Sequence, residues 1–370
     1  TEIGNPNTVF EKGISSGPVL DNFSISEPNA ALVLKRRSLN GRDITCLRNM
    51  TISDLLNEVK DTNEIIVKNL IKEARTPQIQ GKQINLSKYI FAHDPLDYGP
   101  INDVFRITNV ETGKQYATMI DKVYENFSEK VSIVMKLKHP SIANFIGFNE
   151  TGFSKYPYPL LIADLYTEGT LSSKLEDYFG GLNNTKKMIN LIGIAFGMKY
   201  IHEQGIILRD LRCSSILLDD NLYPKITNFR TARFDVPNNK KFAILPPFYF
   251  FAPEMMDEDK QYSFKADVFA YGLLYYHVIF NEEPKIDYIS EAHFNNQIRH
   301  GKLPSLDNKP NKFIGFIQSM WSEDPNDRPS FDQIIETFLD ESKRYDCWLD
   351  DVDEKEVERY INQFGATLKK

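Results

Sequence analysis

Side chains able to do chemistry gather in the middle and later parts of the chain. The run Leu208-Arg209-Asp210-Leu211-Arg212-Cys213-Ser214-Ser215 sets one carboxylate between two guanidinium groups, and Asn228-Phe229-Arg230 follows shortly after it. Glu254, Asp267 and Arg328 are spread further along. Carboxylates can exchange protons or hold cations, and guanidinium groups hold anions, so these positions are candidates for acid–base or anion chemistry. The cysteines point to none. Cys46, Cys213 and Cys347 lie far apart and leave one unpaired whatever is bridged, which predicts a reducing compartment, no disulfide framework and no zinc site.

The bulk properties set the frame for these residues. A chain of 370 residues with 41% hydrophobic content suffices for one large two-lobed domain with appendages, or for two modest domains. The formal charge of -7 and pI near 5.5 exclude a general nucleic-acid binder, and the basic run Lys35-Arg36-Arg37 reads as a solvated patch. No stretch is apolar for long enough to span a bilayer, and the opening TEIGNPNTVFEKG lacks the apolar core of a signal peptide. A cytoplasmic protein is expected, and the opening at Thr1 rather than Met reads as a sequence cropped from something longer.

The elements that must position the chemistry follow from periodicity. Residues 1 to about 50 show no sustained period and read as an irregular arm, and Thr51 then caps an amphipathic helix over about 51–74 through Ile52, Leu55, Leu56, Val59, Ile66 and Leu70. Residues 1–87 are thus an N-terminal extension. From Lys88 come strand-like runs (VFRITNV, KQYATMI), a helix pattern (SEKVSIVMKLK) and further strands (ANFIGFNE, PLLIADLY). After Gly169 helices take over in TLSSKLEDYF, KKMINLIGIAFGMKYIHEQ, DVFAYGLLYYHVIF and NKFIGFIQSMW. Strands first and helices afterwards predict an α+β chain in two lobes, a β-rich one over about 88–163 and a mainly helical one over about 166–345, followed by an acidic, aromatic tail over 346–370.

From about residue 91 to about residue 340 the chain resembles the eukaryotic protein kinases, and among them the tyrosine-kinase-like group. The landmarks stand in the family's order: IHEQGIILRDLRCSSILL, KITNFR, FAPE, DVFAYG and WSEDPNDRPSF. The resemblance implies that Glu254 pairs with Arg328, that Asp267 accepts from the backbone of the loop around Asp210, and that Trp321 and Pro329 are packing residues. It also implies a nucleotide pocket. Val104, Ala117 and Leu217 fall where adenine would be sandwiched, Ala163 falls at the gatekeeper position, and Asp164 and Tyr166 fall in the hinge.

The same resemblance shows the phosphotransfer set depleted. The lid glycines fall at Asp97, Gly99 and Asn102, so only Gly99 survives. Met119 stands where the phosphate-contacting Lys belongs and reads as a flexible pocket filler, and Lys130 stands where its helix Glu belongs, with Glu129 facing elsewhere. The interval between Met119 and Lys130 is short for the family, which predicts a truncated or displaced helix, and Lys114 or Lys122 would have to supply the missing charge. Asp210 keeps the base position, with a structural role expected, and Arg209 and Arg212 keep their charges. Ser215 replaces the metal-binding Asn, and the metal-binding Asp becomes Asn228, followed by Phe229 and by Arg230 in place of Gly. Pro247 replaces a Thr, and Thr231 and Tyr249 are the only hydroxyl side chains between Asn228 and Glu254.

Two readings stay open. In one, the chain is a pseudokinase acting through protein partners, with no cofactor expected beyond ATP without metal. The flanks and the apolar PPFYFF run would then form the contact, self-packing of the tail being the equally weighted alternative. In the other, it is an atypical kinase with rearranged residues, using Mg²⁺ and ATP. Neither fixes the oligomeric state.

Overall fold

The structure is a computed structural model that describes residues 81–98, 102–122, 127–178, 180–235, 251–256, 263–284 and 303–365. The chain divides into two units, residues 1–79 and 80–370. The arm, the helix expected over 51–74, Cys46 and Lys35-Arg36-Arg37 lie outside the described residues, as do Gly99, Pro247 and Tyr249.

The first lobe is a sheet. Strands β1 (Tyr89–Tyr98), β2 (Asn102–Asn109) and β3 (Gln115–Asp121) form an antiparallel meander, helix α1 (Phe127–Lys136) follows, and β4 (Phe145–Asn149) and β5 (Leu160–Asp164) complete the order β1-β2-β3-β5-β4. Alternation in β2 buries Asp103, Phe105 and Ile107 on one face, as a period of two requires. Phe105 and Ile107 pack with Ile84, Ile120, Leu160 and Ile162 in the lobe's core. Pro95, which has no N–H to give the ladder, sits where the β1–β2 register slips. The expected lobe start near residue 88 falls late. Ile84 is buried and donates its N–H to the Phe148 carbonyl while the Phe148 N–H donates to the Lys82 carbonyl, so the lobe recruits residues that their polar neighbours disguised as linker.

The second lobe is built on α3 (Asn184–Glu203) and α4 (Phe264–Phe280), both buried nearly all round, with α2 (Leu171–Leu175) before them. Helix α2 is shorter than TLSSKLEDYF suggests. A capping box between Thr170 and Ser173 starts it, but Asp177 then accepts from the Gly180 N–H and turns the chain out of the helix. Two small ribbons carry the chemistry. Strands β6 (Ile206–Ile207) and β9 (Arg233–Phe234) pair, as do β7 (Ile216–Leu218) and β8 (Pro224–Ile226). Residues 208–215 thus hang between β6 and β7, and residues 227–232 between β8 and β9.

Helices α5 (Asn311–Met320), α6 (Phe331–Leu339), α7 (Arg344–Cys347) and α8 (Glu354–Gly365) close the lobe. The last two answer to self-packing of the tail, one of the two alternatives weighed for its apolar side chains, and not to their presentation to a partner. Cys347, Trp348, Val357, Tyr360 and Phe364 are buried on this chain. Trp348 Nε1 donates to the Phe338 carbonyl, the Tyr360 hydroxyl lies 3.1 Å from Ser141 Oγ, and Phe364 stacks on His139 and Phe196. A Cβ at Gly193 would meet the Tyr360 hydroxyl at 2.1 Å, so glycine in α3 makes room for α8. Of PPFYFF only Phe251 is described, and it too is buried.

Candidate active site

Asp267 anchors the loop beneath the cleft. It is fully buried, and its carboxylate accepts from the Leu208 and Arg209 N–H groups at 2.8 Å each while His202 Nε2 lies 2.9 Å away. Arg209 has φ of 69°, a conformation costly for a side chain with a Cβ, and the hydrogen bonds from the Leu208 N–H and from its own N–H hold that geometry. His202 was not singled out from sequence. It lies in the last turn of α3, ahead of the loop, where its polar neighbours Glu203 and Gln204 gave no signal of burial.

Asp210 projects from this loop into a closed set of partners. Arg212 Nε lies 3.0 Å from Oδ1, Arg230 Nη2 lies 3.8 Å from Oδ2, and Asn228 Nδ2 donates to Oδ2 at 2.6 Å and to Ser215 Oγ at 3.3 Å. Burial pushes the Asp210 carboxyl above the usual carboxylate range, and the two guanidinium groups and the Asn228 amide act against that rise. The structure thus brings Asp210, Arg212, Ser215 and Asn228 together, and adds Arg230.

The family's metal would sit against residues 215 and 228, and these do not fit one. A divalent cation takes oxygen ligands, preferably carboxylates, whereas here a hydroxyl and an amide face it and the amide N–H₂ is already directed at the neighbouring oxygens. Among the described residues no group of three acidic, His or Cys side chains could hold a metal.

Above the loop, Met119, Asp121, Lys130, Phe145, Asn228 and Arg230 help line a cavity of about 40 Å³, room for a few waters. Met119 is half-buried on its wall rather than sealed in the core, because its strand face opens toward the other lobe. Lys130 finds a different partner from the one the family uses. It forms a buried ion pair with Asp121, two residues beyond Met119 on the same face of β3. Glu129 turns instead toward Arg233, 3.6 Å away. The lysines considered as substitutes are engaged elsewhere: Lys114 pairs with Asp164 at 2.9 Å, and Lys122 pairs with buried Asp103 at 2.7 Å. Neither is among the cavity's lining residues.

Toward the hinge, Val104 stands opposite Met119 and Ala117 opposite Ala163 in the strand register. Val104, Ala117 and Leu217 are half-buried, and Ala163 is buried beside its β4 partner Phe145. Asp164 accepts from Lys114 and from Asn144 Nδ2, and the Tyr166 hydroxyl accepts from the Asn144 N–H. Burial would raise the Asp164 carboxyl, but the Asn144 and Lys114 hydrogen bonds and the lysine charges outweigh it and hold it below the usual range. Phe229 meets Phe145 edge-on with ring centres 5.9 Å apart. Further down, Arg328 donates to both Glu254 oxygens at 2.7 and 2.9 Å, and to the Ser322 and Lys265 carbonyls.

A five-stranded antiparallel sheet over a helical lobe, with a cleft between them floored by an Asp-bearing loop, defines a protein-kinase domain. The sequence profile of protein tyrosine and serine/threonine kinases matches residues 110–338, and the chain belongs to that family. Similar proteins include serine/threonine-protein kinase STY46 of Arabidopsis thaliana, 27% identical over 59% of this chain and 37% of the relative. Serine/threonine-protein kinase STY17 of the same plant is 24% identical over 86% and 55%. A probable serine/threonine-protein kinase, drkC, of Dictyostelium discoideum is 28% identical over 69% and 35%. The chain thus spans between about a third and just over half of these relatives. No helix among the described residues is long and apolar enough to cross a membrane.

Proposed function

We propose that this chain is a kinase-fold protein that does not transfer phosphate from Mg²⁺-ATP and that acts by binding protein partners in the cytoplasm. The observation that carries this is the hydrogen-bond network at Asn228. An amide that donates to both Asp210 and Ser215 occupies the place of the metal-binding carboxylate, and it holds the carboxylate of the base position as a structural acceptor. Met119 supports the same reading, since a thioether supplies no cation to a phosphate. Losing these groups together removes several orders of magnitude in rate, each being worth roughly two to three and not additive.

The competing reading is an active kinase. It is favoured by the presence of Asp210 and Arg212 in the loop and by relatives named as kinases. Thermal denaturation with millimolar ATP, with and without Mg²⁺, separates the two, with mass spectrometry of the chain and a mixed peptide substrate alongside. The expected result is no Mg²⁺-dependent stabilisation and no incorporated phosphate. Phosphate incorporation that disappears in Asp210→Asn, or stabilisation abolished by EDTA, sinks the proposal.

A further inference from the structure

The family joins strand and helix with a strand cation and a helix carboxylate, and position by position that pair is gone. The structure nevertheless places a buried ion pair between the same two elements with the charges exchanged. Residues 119 and 121 lie on one face of β3, about 7 Å apart along the strand. The carboxylate at 121 is therefore offset from Met119 by one pleat repeat. Lys130 lies on the inner side of α1, in the same buried stretch as Phe127 and Val134. Its ammonium is held by Asp121, with side-chain exposures of 9% and 5%.

We infer that Lys130 and Asp121 form a polarity-inverted clamp that keeps α1 docked on the sheet without help from a nucleotide. Neither charge is tolerable alone at this depth, so each demands the other, and because one sits on the strand and the other on the helix their pairing fixes the separation of the two elements. Coulomb attraction does not distinguish which end is the cation. Anion binding does, because the strand now contributes the carboxylate. The exchange thus retains the mechanical role of the pair without the strand cation that would meet a phosphate. A neighbouring contact points the same way: Glu129, beside Lys130 on α1, reaches Arg233 on β9, so the helix has a second tie in the docked arrangement. The inference holds whether or not the cleft transfers phosphate.

Hydrogen exchange of the nucleotide-free chain tests it on peptides covering residues 127–136, with α3 as internal control. Asp121→Asn and Lys130→Met should each speed exchange in α1 by tenfold or more and leave α3 as in the wild type. The double variant, which leaves no lone buried charge, should regain at least half of the lost protection. Saturating ATP with Mg²⁺ should leave wild-type α1 exchange unchanged. The inference is overturned if either single variant exchanges like the wild type, if the double variant loses the sum of the singles, if α3 loosens equally, or if ATP is what protects α1. Should Lys130→Met not fold, Asp121→Asn decides by the same criterion.

Discussion

At Asn228 an amide nitrogen donates to both Asp210 and Ser215, and on the proposed reading it stands where the family carries an aspartate. A carboxylate in that place would confront Asp210 with a like charge and would need a cation between them, so the proposed reading takes the amide as the neutral substitute for a metal-dependent arrangement. The pair of Glu254 and Arg328 is the structural counterpart, since its two parallel hydrogen bonds and two further carbonyl contacts engage four of the five guanidinium N–H groups. Arg328→Ala should therefore cost roughly 3 to 5 kcal/mol by leaving a buried carboxylate unpaired. Denaturant unfolding measures it, and an unchanged midpoint refutes it. At this scale the sequence was informative wherever chemistry is tied to a motif, as at Asp210, Asn228, Asp267 and Arg328. Asp121 could have been found too, because alternation places it on the Met119 face. A carboxylate there belongs to no motif, and only the fold shows that Lys130 reaches it.

Among the elements, α8 replaces what the sequence reading gave only as an acidic, aromatic tail. Val357, Tyr360, Ile361 and Phe364 recur at helical spacing, a signal that the reading as a tail left unused. The partner of this helix was not legible, because the receiving surface is assembled from Gly193 and Phe196 in α3 and from His139 and Ser141 between α1 and β4, residues remote in sequence. A close approach of this kind leaves only a glycine as its trace. His139 makes the docking sensitive to acid. Burial, and then the charge of Lys225, lower its pKa to about 4, so between about pH 4 and its ordinary value near 6.5 the unfolded chain binds the proton and the folded chain does not. Stability should accordingly decline as the pH falls through that window, by about 3 kcal/mol in all. Urea titrations from pH 7 to pH 4 should show this decline in the wild type and a shallower one in His139→Phe; equal slopes would remove His139 from the account.

For the whole molecule, the two-lobed architecture followed from the order of strands and helices, while its limits did not, because both edges are set by tertiary contacts. Ile84 enters the sheet lobe from a polar stretch, and the tail joins the helical lobe as a structural layer. Removing residues 345–370 would expose the side chains around Trp348, Tyr360 and Phe364 and should lower the melting temperature by about 10 °C or more. Scanning calorimetry of the truncation checks this, and a tail deletion that melts like the full chain would return α8 to the role of a free appendage. The placement of α8 also bears on synthesis. Residues 354–365 leave the ribosome after the segments they cover, so α3 and the turn at His139 must wait with apolar faces open. The nascent chain therefore passes through an interval in which holding chaperones can compete for the surface that α8 later claims.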